Sequence, residues 1–470
     1  MNAKNGFSML IDGKLAPGSR TLDVIDPALD EVFASCACAS SEDVERAVAA
    51  AACAFPGWSS TPLAERQQIL ETMAAAVEPE IETIAHLLTR EQGKPLHEAL
   101  AEAGGVVHFL RHYAGLDLPV KVLEDSHQQR VELHHVPLGV VAAIVPWNFP
   151  LITAVTKVGA ALLAGNTVVL KPAPSTPLST LKLGALFSNV VPAGVLNIIT
   201  DNGDLGGLLT SHPSISKISF TGSTATGCKV MESSAATLKR LTLELGGNDS
   251  GIVLDDCDPA TVATQVFDAA FANNGQVCVA LKRLYVHDSQ YEAVCDSLAA
   301  LARNRVVGPG LEEGTQLGPV QNRVQYQKLK TLIAETAQEG NIIAGGDAPD
   351  LPGYFINPTI VSDIADDARL VREEQFGPVL PVLRYSDIDD AVLRANDSPY
   401  GLGNSIWTAD PQRAVPIAAQ LQSGSVWINK HGDVLPGIPF AGAKMSGLGV
   451  EMAEQGLLEF TQIKVVNYAK

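Results

Sequence analysis

Five short apolar runs, at 139–145, 167–171, 195–199, 217–220 and 241–244, constrain this chain more than any other feature. The first three are rich in Val, Ile or Leu with little polar alternation, so they read as strands buried on both faces, and 217–220 and 241–244 continue the series. Helical stretches at 151–163, 178–189 and near 225–239 fall between them. That rhythm implies a parallel sheet with helices on both faces. A second series follows Cys278, with strands near 283–286, 379–383 and 425–428, and 470 residues exceed what one core usually supports. The expected fold class is therefore α/β with two α/β domains. Residues 41–115 read as Ala-rich amphipathic helices, the first opening on a Ser41 cap followed by acids. Two alternating segments, 130–137 and 460–468, can pair with each other or with another chain.

Charge and composition narrow the partners. A formal net charge of −19 opposes nucleic acid and anionic membrane. The apolar stretch 138–146 is far too short for a bilayer span, and the opening Met1-Asn-Ala-Lys-Asn-Gly-Phe7 lacks a signal-like apolar block, so the cytoplasm is expected. Cysteines at 36, 38, 53, 228, 257, 278 and 295 are odd in number and unpaired in spacing, which reads as reduced thiols. Cys36-Ala-Cys38 is too tightly spaced for a zinc knuckle, and no metal is assigned.

Several motifs point to chemistry. Gly275-Gln-Val-Cys278 carries a thiol, and Glu244-Leu-Gly-Gly247 carries a carboxylate; together they suit covalent catalysis, although a single apolar cysteine is more often a packing residue. Phe220-Thr-Gly-Ser-Thr-Ala-Thr-Gly227 follows a strand and opens a helix, so its amides can hold a pyrophosphate, or it is a plain turn. Its lysine, Lys229, is displaced by one position from P-loop spacing and followed by Val230, which gives ATP hydrolysis little weight. Lys171-Pro-Ala-Pro174 and Pro146-Trp-Asn-Phe-Pro150 lie at strand carboxyl ends, where open α/β sheets bind ligands. In the latter, Asn148 can donate to an oxyanion. Glu373-Glu-Gln-Phe-Gly-Pro378 offers Glu374 to a sugar hydroxyl and Phe376 to a ring, while Pro439-Phe-Ala-Gly-Ala-Lys444 alone is an ordinary loop.

In this order, the motifs resemble the aldehyde dehydrogenase superfamily over essentially the whole chain. The resemblance implies a variant Rossmann dinucleotide-binding domain (1–117 and 139–245), a catalytic domain (246–445) and a small β oligomerisation element (118–138 and 446–470) of a homodimer or homotetramer. It also implies a non-acylating reaction with NAD or NADP. Cys278 attacks the aldehyde, Asn148 and the Cys278 amide hold the oxygen, and Glu244 activates water against the thioester. Trp147, Lys171, Gly222, Ser223, Glu374 and Phe376 fall on the cofactor positions, with Lys171 at the adenosine ribose.

Departures matter as much. NAD-preferring relatives often carry Glu where Pro174 stands, so Lys171 is left to neutralise a 2′-phosphate, and dual specificity is an expectation. Thr153 and Thr156 should widen the substrate funnel, with Phe149, Val277, Val279 and Phe440 as apolar wall. Ala441 and Ala453, where relatives often have Gly, have no evident effect on chemistry. A coenzyme A-dependent acylating enzyme is disfavoured by Glu244, and a non-enzymatic relative by the intact Cys278, Glu244 and Asn148.

Overall fold

The computed structural model describes residues 7–470, so the first six residues of the expected 1–117 segment and of the opening stretch lie outside the described residues. All five apolar runs form strands of one sheet: Val140–Ile144, Thr167–Lys171, Leu196–Ile198, Ile215–Thr221 and Arg240–Glu244. They are mutually parallel, and Val140–Ile144 lies between Thr167–Lys171 and Ile215–Thr221. The chain thus builds outward one way and then the other, leaving a crevice where the order reverses. Short antiparallel strands Met9–Ile11, Lys14–Ala16 and Gly447–Leu448 extend the two edges.

Register decides what meets at that crevice. Ile144 pairs with both Lys171 and Phe220, and Thr221 pairs with Glu244. The strand ends are therefore level, and the residues following them emerge at one rim. Helix Pro150–Leu163 is set by Pro150 in its first turn and stopped by Gly165 at φ 90°, a left-handed conformation. The expected helix near 225–239 is Thr224–Ser234 followed by a 3-10 turn, and the first long helix, Ser41–Ser59, is capped by Ser40 rather than Ser41.

A second sheet has the order Asn341–Ala344, Thr359–Ser362, Val379–Tyr385, Leu281–His287, Asp249–Val253, Gly403–Trp407, Ser425–Ile428, parallel except at its first strand. Sequence reading anticipated three of these strands. Only Leu245-Gly-Gly-Asn248 separates Glu244 at the end of one sheet from Asp249 at the start of the other. The segments expected to alternate pair with each other: Thr461–Ala469 runs antiparallel to Gln129–Pro137, and Lys121–Asp125 adds a third strand. Buried Asn166 ties this small sheet to the main one, accepting from Leu138 N at 2.7 Å and donating to Phe460 O at 2.8 Å. No helix among the described residues is long and apolar enough to cross a membrane.

Candidate active site

Cys278 is presented by an unusual stretch of backbone. Asn273, Asn274 and Gly275 take φ of 47°, 58° and 72°, a left-handed run that reverses the chain after helix Pro259–Phe271. Such conformations persist only when the surroundings fix them. Here Asn273 Nδ2 donates to Asn148 O at 3.0 Å, Gln276 Nε2 donates to Asn273 O at 3.0 Å, and Gln276 Oε1 accepts from Gln321 N at 2.8 Å. A Cβ on Gly275 would stand 2.3 Å from Gly377 O, so only glycine fits the turn.

Between the two sheets lies a cavity of about 260 Å³ lined by Trp147, Asn148, Phe149, Thr153, Gly222, Ser223, Cys278, Glu374 and Phe376, among others. Two of the three catalytic candidates, five of the six cofactor candidates, the wall candidate Phe149 and the funnel candidate Thr153 thus share one space, whereas Glu244 and Lys171 do not line it. Its lining also includes Thr221, Leu245, Gly246, Gln325 and Lys328, which sequence reasoning missed. Thr156 is buried one helical turn below Thr153 and donates to its carbonyl at 3.0 Å, so it does not line the cavity. Val277, Val279 and Phe440 pack with the core and are likewise absent from the lining. Instead, Phe440 exchanges two backbone hydrogen bonds of 2.8 Å with Glu451.

Asn148 is gripped by its own carbonyl. Buried Lys94 donates from Nζ to Asn148 O at 3.0 Å and is paired at 2.6 Å with buried Glu102, which accepts from Leu151 N at 2.9 Å. The side chain is then free to point inward, and its Nδ2 donates to Gln276 O at 3.0 Å, two residues before the nucleophile candidate. An amide nitrogen carries two hydrogens, so one remains for a ligand.

Glu244 is buried, and neither carboxylate oxygen has a hydrogen-bond partner among the described residues. Burial holds its carboxyl well above the usual carboxylate range; the negative Glu451 adds to this and Lys157 opposes it. Lys157 donates to Thr221 Oγ1 at 2.8 Å and pairs with Glu451, which also accepts from Ser219 Oγ at 3.2 Å. Lysine in an otherwise apolar helix was the available signal for this buried pair.

Burial pushes the Cys278 thiol up to about 12; Lys282 draws it down, and Glu244, Asp249 and Glu374 push it further up. Lys282 is fully buried and donates to Val277 O at 2.8 Å and Cys278 O at 2.6 Å. Glu374 accepts from Gly247 N at 3.1 Å and lies 3.8 Å from the Lys282 ammonium. Gly246 and Gly247 permit this crowding: a Cβ on the first would meet Glu374 Oε2 at 2.3 Å, and one on the second Cys278 O at 2.7 Å.

On the dinucleotide side, Ser223 caps helix Thr224–Ser234 and, with Gly222, leaves the helix amino terminus open to the cavity. The residues fit a pyrophosphate, since unpaired amides and the helix dipole favour an anion there. Trp147 and Phe376 rings meet edge to face at 5.3 Å, framing the same cavity. Lys171 does not line the cavity and is paired elsewhere. Its ammonium lies 2.6 Å from Asp201 Oδ1, both residues buried, and Asp201 Oδ2 accepts from Leu205 N at 2.9 Å. The ammonium expected to meet a 2′-phosphate is thus paired with a carboxylate.

A thiol and an amide donor facing one cavity at the rim of a doubly wound sheet, with the buried Glu244 carboxylate at the strand end just before the cavity residue Leu245, define a cysteine-dependent oxidoreductase of the dinucleotide-binding class. Comparison with known proteins agrees. The sequence profile of the Aldehyde dehydrogenase family matches residues 15–466. Phenylacetaldehyde dehydrogenase of Pseudomonas fluorescens is 41% identical over 96% of this chain and 94% of its own length, and chloroplastic betaine aldehyde dehydrogenase of Beta vulgaris is 38% identical over 95% and 92%. Among solved structures, the NAD+ complex of an aldehyde dehydrogenase from Bacillus cereus matches with TM-score 0.97 at 36% identity, covering 99% of this chain and 97% of that one. An NADP-dependent enzyme of E. coli matches with TM-score 0.96 at 35% identity over 99% and 98%. The chain belongs to the aldehyde dehydrogenase family. It oxidises aldehydes to carboxylic acids through a cysteine thiohemiacetal and thioester, with NAD(P)+ as hydride acceptor, and is not of the acylating form.

Proposed function

We propose that Cys278 is the nucleophile, Asn148 the oxyanion donor and Glu244 the base for water, within a site that takes bulky aldehydes and prefers NAD. The observation that carries the reading is that Cys278 and the Asn148 amide face one cavity, with Asn148 Nδ2 held 3.0 Å from Gln276 O beside the nucleophile. Cys278 Sγ attacks the carbonyl carbon, and the developing oxyanion is held by Asn148 Nδ2 and the Cys278 backbone N–H. Hydride loss leaves a thioester on Sγ; the bound dinucleotide supplies the acceptor. Glu244 then takes a proton from a water that attacks the thioester, the acid departs and the thiol is restored. Gly222 and Ser223 would hold the pyrophosphate, Trp147 and Phe376 the nicotinamide end, and Glu374 its ribose. Lys171, at the level strand ends, would reach the adenosine ribose.

The division into a dinucleotide-binding domain (1–117 and 139–245), a catalytic domain (246–445) and an oligomerisation element (118–138 and 446–470) is part of this reading, because the strands of each sheet fall within those limits apart from the short edge strand Gly447–Leu448. Exposed Val122, Leu123, Ile463, Val465 and Tyr468 on the small sheet supply the surface on which we place assembly into a dimer or tetramer. Seven unpaired cysteines favour a reducing compartment, the cytoplasm.

Thr153, beside Phe149, supports tolerance of bulk, as does likeness to a phenylacetaldehyde dehydrogenase. An aldehyde panel assayed with both cofactors tests this. Phenylacetaldehyde is expected to react with a kcat/KM at least equal to that of acetaldehyde, yielding acid and reduced dinucleotide in equal amounts whether or not coenzyme A is added. Turnover confined to two- and three-carbon aldehydes would overturn it.

Cofactor choice rests on Asp201. A 2′-phosphate beside Lys171 would also face the Asp201 carboxylate, and like charges at such range cost several kcal/mol. NAD is expected to exceed NADP by at least about tenfold in kcat/KM, and Asp201→Asn to narrow that ratio by about tenfold, mainly through the KM for NADP. An unchanged ratio in the variant would remove Asp201 from the account.

A further inference from the structure

We propose that Lys282 is a positioning residue of the catalytic centre: its ammonium orients and polarises the Val277–Cys278 peptide, and supplies the positive charge against which the Cys278 thiolate forms. The inference deepens the role assigned above to Cys278 and rests on that reading.

The geometry is specific. Val277 C=O and Cys278 N–H belong to the same peptide plane, and Lys282 Nζ donates to Val277 O at 2.8 Å. Holding that oxygen fixes the direction of the N–H on the opposite side, the group expected to meet the oxyanion. A cation on the carbonyl also strengthens the N–H as a donor, because hydrogen-bonded dipoles polarise one another in a low-dielectric setting. A second bond, to Cys278 O at 2.6 Å, fixes the next peptide, so both planes flanking the nucleophile are tied to one ammonium. Gln375 Nε2 donates to Lys282 O at 3.1 Å and to Val379 O at 2.8 Å, anchoring the lysine's own backbone.

The ammonium also acts through its charge. When ionised, Glu244, Asp249 and Glu374 each oppose a negative charge on Cys278, and Lys282 is the cation that offsets them at the sulfur. Asp249 is buried, and burial pushes its carboxyl up to about 7 while Lys282 and the Gly403 backbone N–H draw it down. His431, also packed here, donates to Val279 O at 2.7 Å and is held down to about 4, so it brings no charge near neutrality. Lys282 is therefore the counter-ion of this cluster of acids, placed against the backbone of the nucleophile. It also explains what favours the thiolate while Glu244 remains reserved for water.

The test is the pH profile of iodoacetamide alkylation at Cys278, followed by peptide mass spectrometry to separate it from exposed Cys53 and Cys228, in full-length enzyme without substrate or dinucleotide. Lys282→Gln keeps a donor and removes the charge; it is expected to lower the alkylation rate at least about tenfold across the pH range below the midpoint, where rate follows the thiolate fraction. Lys282→Arg should keep the profile near that of the unaltered enzyme. Glu374→Gln, which removes a nearby negative charge, should shift the midpoint downward, and it decides the matter should Lys282→Gln fail to fold. A folded Lys282→Gln enzyme with an unmoved profile, or a Glu374→Gln profile that stays in place, overturns the proposal. Because alkylation needs no aldehyde turnover, this outcome is distinct from failure of the assigned reaction.

Discussion

Glu244→Gln is expected to release about one equivalent of reduced dinucleotide per site at close to the unaltered rate and then to stall, with steady-state turnover lowered by about 10²–10⁴, the usual contribution of a general base. The substitution keeps the shape of the side chain and removes its basicity. Only thioester hydrolysis requires a base on water, so the burst should survive while deacylation fails. Rapid-mixing absorbance at the reduced nicotinamide band reads both phases. Loss of the burst in parallel with turnover would sink the assignment and move Glu244 to the activation of Cys278.

The same residue sets the direction of a pH effect. Burial, reinforced by Glu451, raises the Glu244 carboxyl, and a base acts only when ionised. Deacylation should therefore fall away as pH drops through a window lying above that of an ordinary carboxylate. In Glu244→Gln this limb should vanish from the deacylation step, whereas the limb belonging to Cys278 should persist in the burst.

Some of this site was legible in the linear chain and some was not, for physical reasons. The strands of the first sheet announce themselves because a parallel sheet is buried on both faces and leaves uninterrupted apolar runs, as at Val140–Ile144. Cys278, Asn148, Ser223 and Glu374 sit in turns whose local sequence is forced by backbone geometry, which is why their motifs stand out. Lys157, Glu451, Lys94 and Glu102 are single residues on helices or loops that acquire meaning only through partners far along the chain, as when Lys157 meets Glu451. Asp201 was equally invisible, and its pairing with Lys171 is the contact on which the proposed NAD preference rests. Strands such as Met9–Ile11 are too short to show a period at all. Thr156, Val279 and Phe440 were near the site in sequence, yet the helix and loop that carry them turn them into the core.

Asn148→Ala should lower kcat/KM by about 10²–10³, the cost of removing one preorganised oxyanion donor, roughly 3–4 kcal/mol of barrier. The scaffold is built to survive the change. Lys94 Nζ and Asn273 Nδ2 both hold the main-chain oxygen of residue 148, which alanine retains, so the turn before helix Pro150–Leu163 keeps its two anchors. What is lost is the side-chain bond to Gln276 O at 3.0 Å and the second hydrogen of the same amide. Gln276 O then keeps only the longer bond from Asn273 Nδ2 at 3.4 Å, and the weakened buried acceptor costs at most about 1–3 kcal/mol of stability, a drop visible in thermal unfolding but too small to account for the lost rate. Because the donor strengthens its bond only as charge gathers on the oxygen, kcat and kcat/KM should fall together with KM little changed. A variant whose KM alone rises, with turnover within about threefold of the starting enzyme, would mean that Asn148 merely binds the aldehyde, and the oxyanion would then depend on the Cys278 amide alone.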